Sequence, residues 1–336
     1  MYKLKQIENY ESKLSLRDTQ KAIVLIKDTF EHKLAKVLNL ERISAPIIVP
    51  AGSGINDDLS GQERAVRFDA AKISDYEAEV VQSLAKWKRM ALYEYGFKAG
   101  EGIYTDMNAL RRDDEIDNVH SIYVDQWDWE FVITKEKRTV DFLQSVVEKI
   151  VDCIIETQSV IKERFKLITT NLYKKVFFIS SQELFDLYPK STVEEREHLI
   201  VKDKKTVFIS QIGGGLSNGS RHGSRAPDYD DWQLNGDLIF WNELLEEPIE
   251  ISSMGIRVDT ESMANQLKAT GNTSRLQYKY HQDILSNILP LTIGGGIGQS
   301  RLCMLILQKL HIGEVHASVW PKQMLDECKK AKIQLL

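Results

Sequence analysis

The chain has 336 residues, 43% hydrophobic and 28% charged, with a net charge of −5. That balance predicts a globular chain with a sizeable core and excludes an overall basic field for nucleic acid or a polybasic membrane signal. Cys153, Cys303 and Cys328 are far apart and odd in number, which excludes a metal spacing and suggests reduced thiols in a cytosolic protein.

At the N-terminus, residues 1–10 carry no apolar h-region, and no apolar run approaches the length of a membrane span. Tyr2 stands where an N-terminal-nucleophile glutaminase would need cysteine. Residues 19–39 place Ile23, Ile26, Phe30, Leu34, Val37 and Leu38 on one helical face. Residues 42–50 read as a strand, and Pro46 makes it an edge or interface strand because proline donates no ladder bond. This helix and strand form either a dimer contact or an ordinary periphery.

A polar glycine-rich loop follows at 51–61, then a helix at 83–97 with Leu84, Trp87, Met90, Ala91 and Tyr95 toward the core. Lys86, Lys88 and Arg89 make that helix cationic. Residues 119–133 read as a long strand whose alternation sets Gln126, Asp128 and Glu130 on one face and Trp127, Trp129 and Phe131 on the other. The tryptophans belong in the core, so the polar face is expected to line a wet, specific site. A long helix covers 139–166, with strands near 176–180 and 206–212. The polar loop at 213–231 is long enough to be a functional lid. Strands at 237–241 and 249–258 and two further helices lead to Gly294, Gly295, Gly296 and Gly298, read as a tight corner between a short strand and an apolar helix. Strands joined by short turns and long helices predict an α+β fold, an antiparallel or mixed sheet flanked by helices, in a single domain.

Four positions stand out chemically. Arg301, at the start of the last apolar helix, can stack on a flat ring or clamp a phosphate, or be a surface arginine. Arg111 precedes the hairpin feeding the 119–133 strand and can make a bidentate phosphate contact. Asp237 and Glu250 stand on consecutive strands and can hold Mg²⁺ with phosphate oxygens, or form a structural salt bridge. There is no Walker A lysine motif, and the glycines at 294–298 do not fit the dinucleotide fingerprint.

These segments resemble the catalytic core of class II aminoacyl-tRNA synthetases, above all the aspartyl and asparaginyl enzymes. The strand around Pro46 resembles the dimer motif, 111–130 the arginine-bearing second motif, and 294–301 the third. Gln82-Ser-Leu-Ala-Lys-Trp-Lys88 resembles the segment that carries the aspartyl enzymes' substrate lysine. The chain is more similar still to the asparagine synthetase A family, ammonia-dependent AMP-forming aspartate ligases. That resemblance covers 82–89, 99–102, 120–130, 225–232, 234–237, 252–259 and 292–301. It implies one catalytic domain over 1–336 with no anticodon-binding domain, a cytoplasmic homodimer, and no nucleic-acid or membrane partner.

The implied reaction takes L-aspartate, ATP and ammonia to L-asparagine, AMP and pyrophosphate through β-aspartyl-adenylate. As the resemblance implies, Arg111 binds the α-phosphate, and Arg301 packs on adenine with Gly296 beside the nucleotide. Asp237 and Glu250 hold Mg²⁺. Lys88 and Arg257 pair with substrate carboxylates, and Gln126, Asp128 and Asp230 accept the α-amino protons. Ser253 lines the pocket. Asp57, in the 51–61 loop, is the candidate for positioning ammonia, or it only orders that loop. The 213–231 loop closes over the adenylate and excludes water. A tRNA-charging relative and a non-catalytic paralogue of the same fold are the competing readings.

Overall fold

The computed structural model describes residues 4–57, 59 and 63–336. Its elements run α1 (Leu16–Leu38), β1 (Leu40–Arg42), β2 (Ile48–Pro50), β3 (Arg67–Ala70), β4 (Ile73–Val80), α2 (Ala85–Glu94), β5 (Gly102–Leu110), β6 (Tyr123–Val132) and α3 (Val140–Arg164). They continue with β7 (Phe177–Ser180), α4 (Ser181–Leu187), α5 (Val193–Lys204), β8 (Thr206–Ser210), β9 (Asp230–Asn242), β10 (Glu247–Arg257) and α6 (Thr260–Ala269). The last are α7 (Lys279–Leu285), β11 (Thr292–Gly298), α8 (Gln299–Leu307) and α9 (Lys322–Lys330).

Among the described residues, the main sheet has eight strands in the order β1-β5-β6-β11-β10-β9-β8-β7. Its two outer pairs, β1–β5 and β7–β8, are parallel, and the strands between are antiparallel. This is the mixed α+β arrangement predicted. Helices α1, α3 and α8 bury one face around Trp127 and Trp129, which are fully inaccessible. Phe30 of α1 packs on Trp127 with ring centroids 4.6 Å apart, so the period-3.6 face of the helix meets the period-2 face of the strand. Ser15 caps α1 by accepting from the Asp18 amide. Val37, assigned to the buried stripe of that helix, is 41% exposed.

The stretch read as one strand at 42–50 is two. β1 joins the main sheet, while β2 pairs with β4 in a separate three-stranded sheet, β2-β4-β3. Pro46 lies in the crossing between them, where a residue without an N–H costs no ladder bond. The hairpin β3–β4, strand β5 and helix α9 are elements that the sequence reading did not mark.

The four glycines near the C-terminus are not a corner; they are the strand β11 itself. A Cβ at Gly294 would sit 2.2 Å from Glu130 Oε2, and one at Gly296 would sit 2.2 Å from Gln126 Oε1. A Cβ at either position would have to displace those β6 side chains, which lie across the β11 backbone.

Candidate active site

The polar face of β6, β11, β10 and β9 forms the floor of a cleft of about 350 Å³. Register brings its groups together: Gly296 is opposite both Asp128 and Ser253, and Ser253 is opposite Asp237. Asp57, Arg111, Gln126, Asp128, Asp230, Asp237, Glu250, Ser253, Arg257 and Gly296 all line this cleft. An adjoining cavity of about 250 Å³ is lined by Arg301 together with His120, Tyr123 and Ser300. The two cavities share Arg111, Asp114, Gln126, Glu250 and Gly296 as walls, so one ligand can span both.

At one end the floor is a network of buried charges. Arg257 donates from Nε and Nη2 to Glu130 and from Nη1 to Asp230. Lys88 donates to Asp128, to the Trp129 carbonyl at 3.0 Å and to the Gly295 carbonyl at 3.2 Å. Thr292 Oγ1 donates to Glu130 at 2.6 Å. Burial pushes the Glu130 carboxyl up, but the charges of Arg257 and Lys88 outweigh it and hold the group below the usual carboxylate range. Burial lowers the Lys88 ammonium against the opposing pull of Asp128 and Glu130. Lys88 is itself 1% exposed and lies behind Asp128 rather than on the cleft wall. The expectation that the 126–130 acids all face a wet site therefore divides. Gln126 and Asp128 line the cleft, and Glu130 is a fully buried counter-ion.

The cationic face of α2 is likewise interior. Arg89 is buried and donates to the carbonyls of Pro290 at 2.8 Å and Val258 at 2.8 Å, while Tyr95 is exposed. A buried arginine satisfied by carbonyls anchors the end of β10 and the approach to its neighbour β11.

At the other end, Arg111 leaves β5 with Nε and Nη2 each 3.3 Å from the Gln82 carbonyl. Arg301, on the first turn of α8, donates to the carbonyls of Glu250 at 3.1 Å and Val119 at 3.3 Å. Both guanidiniums thus border the shared wall with weak, exchangeable contacts, as an anion- or ring-binding arginine requires. Low-dielectric surroundings and the Asp237 charge both raise the Glu250 carboxyl above its ordinary value, although the residue opens to the cleft. Two acids whose charges oppose each other across β9 and β10 fit a divalent cation, which would relieve the repulsion. No group of three His, Cys, Asp or Glu side chains able to hold a metal occurs among the described residues, so phosphate oxygens would complete the shell.

Arg225, in the 213–231 loop, was not singled out from sequence. It donates to Ser253 and to Asp237 at 2.5 Å. Its signal was present in Arg225-Ala-Pro-Asp-Tyr-Asp-Asp-Trp232, where the neighbouring Asp230 drew the assignment. Asp237 and Asp230 hold the Arg225 guanidinium firmly protonated despite its burial. Tyr229 is a second unassigned wall, with its ring 5.7 Å from the Arg257 guanidinium carbon. Asp57 is 3% exposed; its carbonyl accepts from Gln82 Nε2 at 2.7 Å, and its Oδ1 accepts from the Leu59 amide at 3.1 Å. Residues 58 and 60–62 of the glycine-rich loop lie outside the described residues.

The family model described as aspartate-ammonia ligase matches residues 17–332. An aspartate–ammonia ligase of Levilactobacillus brevis is 53% identical over 98% of this chain and 98% of its own length. One of Clostridium tetani is 51% identical over 98% and 96%. Among solved structures, asparaginyl-tRNA synthetase from Pyrococcus horikoshii, complexed with asparaginyl-adenylate, superposes with a TM-score of 0.65 at 16% identity, covering 90% of this chain and 70% of that one. A putative aspartyl-tRNA synthetase from Leishmania major gives 0.60 at 14% identity, covering 89% and 64%. The architecture is therefore that of the class II synthetase core, and by its sequence the chain belongs to the aspartate–ammonia ligase family.

Proposed function

We propose that this cleft joins L-aspartate to ammonia at the expense of ATP, giving L-asparagine, AMP and pyrophosphate. The observation that carries the reading is the continuity of the cleft. An end built of paired acids and arginines opens through the shared wall of Arg111, Gln126, Glu250 and Gly296 into the cavity bordered by Arg301. A zwitterionic amino acid suits the first end, and a nucleotide suits the second.

In this reading the aspartate amine donates to Asp128, Asp230 and Gln126, and its carboxylates face Arg257, Arg225 and Ser253. Lys88 acts from behind Asp128, fixing that acid's orientation. The β-carboxylate oxygen attacks the α-phosphorus while Arg111 neutralises the phosphoryl oxygens, and pyrophosphate leaves with the electrons of the broken P–O bond. Arg301 packs on the adenine. Asp237 and Glu250 would hold Mg²⁺, which supplies charge neutralisation on the phosphates when bound. Ammonia then attacks the acyl carbon with its lone pair. The acyl C–O bond breaks, AMP leaves, and the nitrogen loses its surplus proton. Asp57 orients the incoming ammonia, and the Arg225-bearing loop keeps water from the adenylate.

The homodimer is supported by the exposed apolar residues Val24 and Val37 on α1 and Ile47 and Ile48 at the start of β2. Three free, buried cysteines and the absence of a membrane-length apolar helix among the described residues fit the cytoplasm. The continuous eight-stranded sheet fits one catalytic domain. Incubation with aspartate, ATP and ammonium tests the reading, which predicts AMP and asparagine in equal amounts.

A further inference from the structure

Asp57 is held by its backbone. The Gln82 side chain grips the Asp57 carbonyl at 2.7 Å, and the Asn56 side chain bonds the Val80 carbonyl at 3.0 Å and the Gln82 amide at 2.8 Å. A third grip comes from Lys86, two residues before the floor lysine on α2. Its ammonium donates to the carbonyls of Gly54 at 3.3 Å and Asn56 at 3.2 Å. Gly54 is seated tightly, since a Cβ there would lie 2.4 Å from the Tyr278 ring.

Lys86 is 4% exposed and is not a wall of the catalytic cleft. Its charge is met by Asp228, 3.2 Å away and fully buried. Asp228 also accepts from Arg275 at 3.0 Å and lies 3.0 Å from His281 Nε2. Asp228 sits three residues beyond Arg225 and two before Asp230. One buried ion pair therefore joins the chain segment that ends in Asp57 to the segment that carries Arg225 and Asp230.

We propose that Lys86 and Asp228 form a clasp that positions Asp57 for the ammonia step: Lys86 fixes the Gly54 and Asn56 carbonyls, and Asp228 fixes Lys86 to the lid segment. The inference rests on the role given to Asp57 above. Neither residue touches substrate, so both are positioning residues. A displacement of about 1 Å at a reacting group can cost on the order of a hundredfold in rate. The adenylation half-reaction needs no ammonia, so the clasp separates the two halves of the reaction.

The test compares Lys86→Met, which keeps the apolar stem, with Asp228→Asn, Lys86→Arg and Asp57→Asn in the full-length enzyme. The clasp predicts that Lys86→Met raises the ammonium KM about tenfold or more and lifts the ratio of AMP to asparagine above one, as water takes the adenylate. Aspartate-dependent ATP–pyrophosphate exchange stays within about threefold of the parent, and Lys86→Arg recovers part of the ammonium KM. Asp228→Asn, isosteric but uncharged, removes the ion pair that holds Lys86, shows the same pattern and stands in if Lys86→Met does not fold. The double variant is no worse than the worse single one, since the pair acts as a unit. An unchanged ammonium KM, or a loss of exchange in step with ammonium use, overturns the clasp. Asp57→Asn reads the underlying assignment separately: a raised ammonium KM there with none in Lys86→Met defeats the clasp alone, and none in either defeats both.

Discussion

Arg257 and Glu130 form a doubly hydrogen-bonded ion pair beneath the cleft, with Nη2 2.8 Å and Nε 3.1 Å from the same carboxylate oxygen. Both side chains are buried, so neither charge has water to fall back on. Glu130→Gln would leave Arg257 and Lys88 undercompensated, at a cost of about 3–5 kcal/mol. The sign with pH is set by the lowered Glu130 value. Its contribution is present above the unfolded carboxylate range, near about 4.3, and is lost as pH falls through the folded value. Thermal melts of parent and Glu130→Gln are therefore expected to differ widely at pH 7 and to converge on acidification. A gap that persists at low pH would mean the pair is not what stabilises the floor.

Glu250 behaves in the opposite sense. Its carboxyl is raised by the low-dielectric surroundings and by Asp237, so the folded protein favours the protonated form and loses stability as pH rises through the folded value. Glu250→Gln removes that penalty. It should melt about 1–2 °C higher than the parent at pH 8, with no gain near pH 4, while needing about tenfold more Mg²⁺ for half-maximal rate. Scanning calorimetry paired with a Mg²⁺ titration of activity reads both quantities. A variant neither more stable nor more dependent on Mg²⁺ would remove Glu250 from the proposed cation site.

Gly296→Ala places a methyl group 2.2 Å from Gln126 Oε1, and Gln126 lines both cavities. The backbone φ there is ordinary, so the cost falls on the displaced side chain rather than on strain. The expected result is a folded protein with a KM for aspartate or ATP raised about tenfold and a melting temperature within a few degrees of the parent. Unchanged steady-state constants would place Gln126 outside the substrate's reach.

Arg301 donates its hydrogen bonds to two backbone carbonyls, at 3.1 and 3.3 Å, and its charge favours the ionised forms of Glu250 and Asp114 without a direct ion pair to either. Arg301→Ala should raise the ATP KM about 10- to 100-fold, the scale of one charged contact, and leave the melting temperature nearly unchanged. Full activity in that variant would cancel the nucleotide role given to the α8 arginine.

The elements and their faces could be read from periodicity, while the roles of Lys88, Asp230, Ser253 and Arg257 came only from the family resemblance. The β6 alternation separates Trp127 and Trp129 from Gln126 and Asp128 because side chains on a strand must alternate, and α1 and α3 follow from apolar residues spaced for one helical face. Burial by pairing was not legible. Lys86, Lys88 and Arg89 look like a solvated cationic helix until Asp228, Asp128 and the carbonyls of Pro290 and Val258 arrive from distant segments. The glycines of β11 look like a turn because their requirement is set by Glu130 and Gln126 on the neighbouring strand, more than 160 residues away. Arg225 was overlooked for the same reason, since only the folded loop brings it to Asp237.

The central claim is that the arginine-bordered cavity and the acid-lined cleft serve one reaction. Products formed from aspartate, ATP and ¹⁵N-labelled ammonium, separated by chromatography and mass spectrometry, test it most directly. The account predicts AMP, pyrophosphate and asparagine carrying the label in its side-chain amide, in equal amounts. ADP and phosphate in place of AMP, or AMP without labelled asparagine, would contradict it.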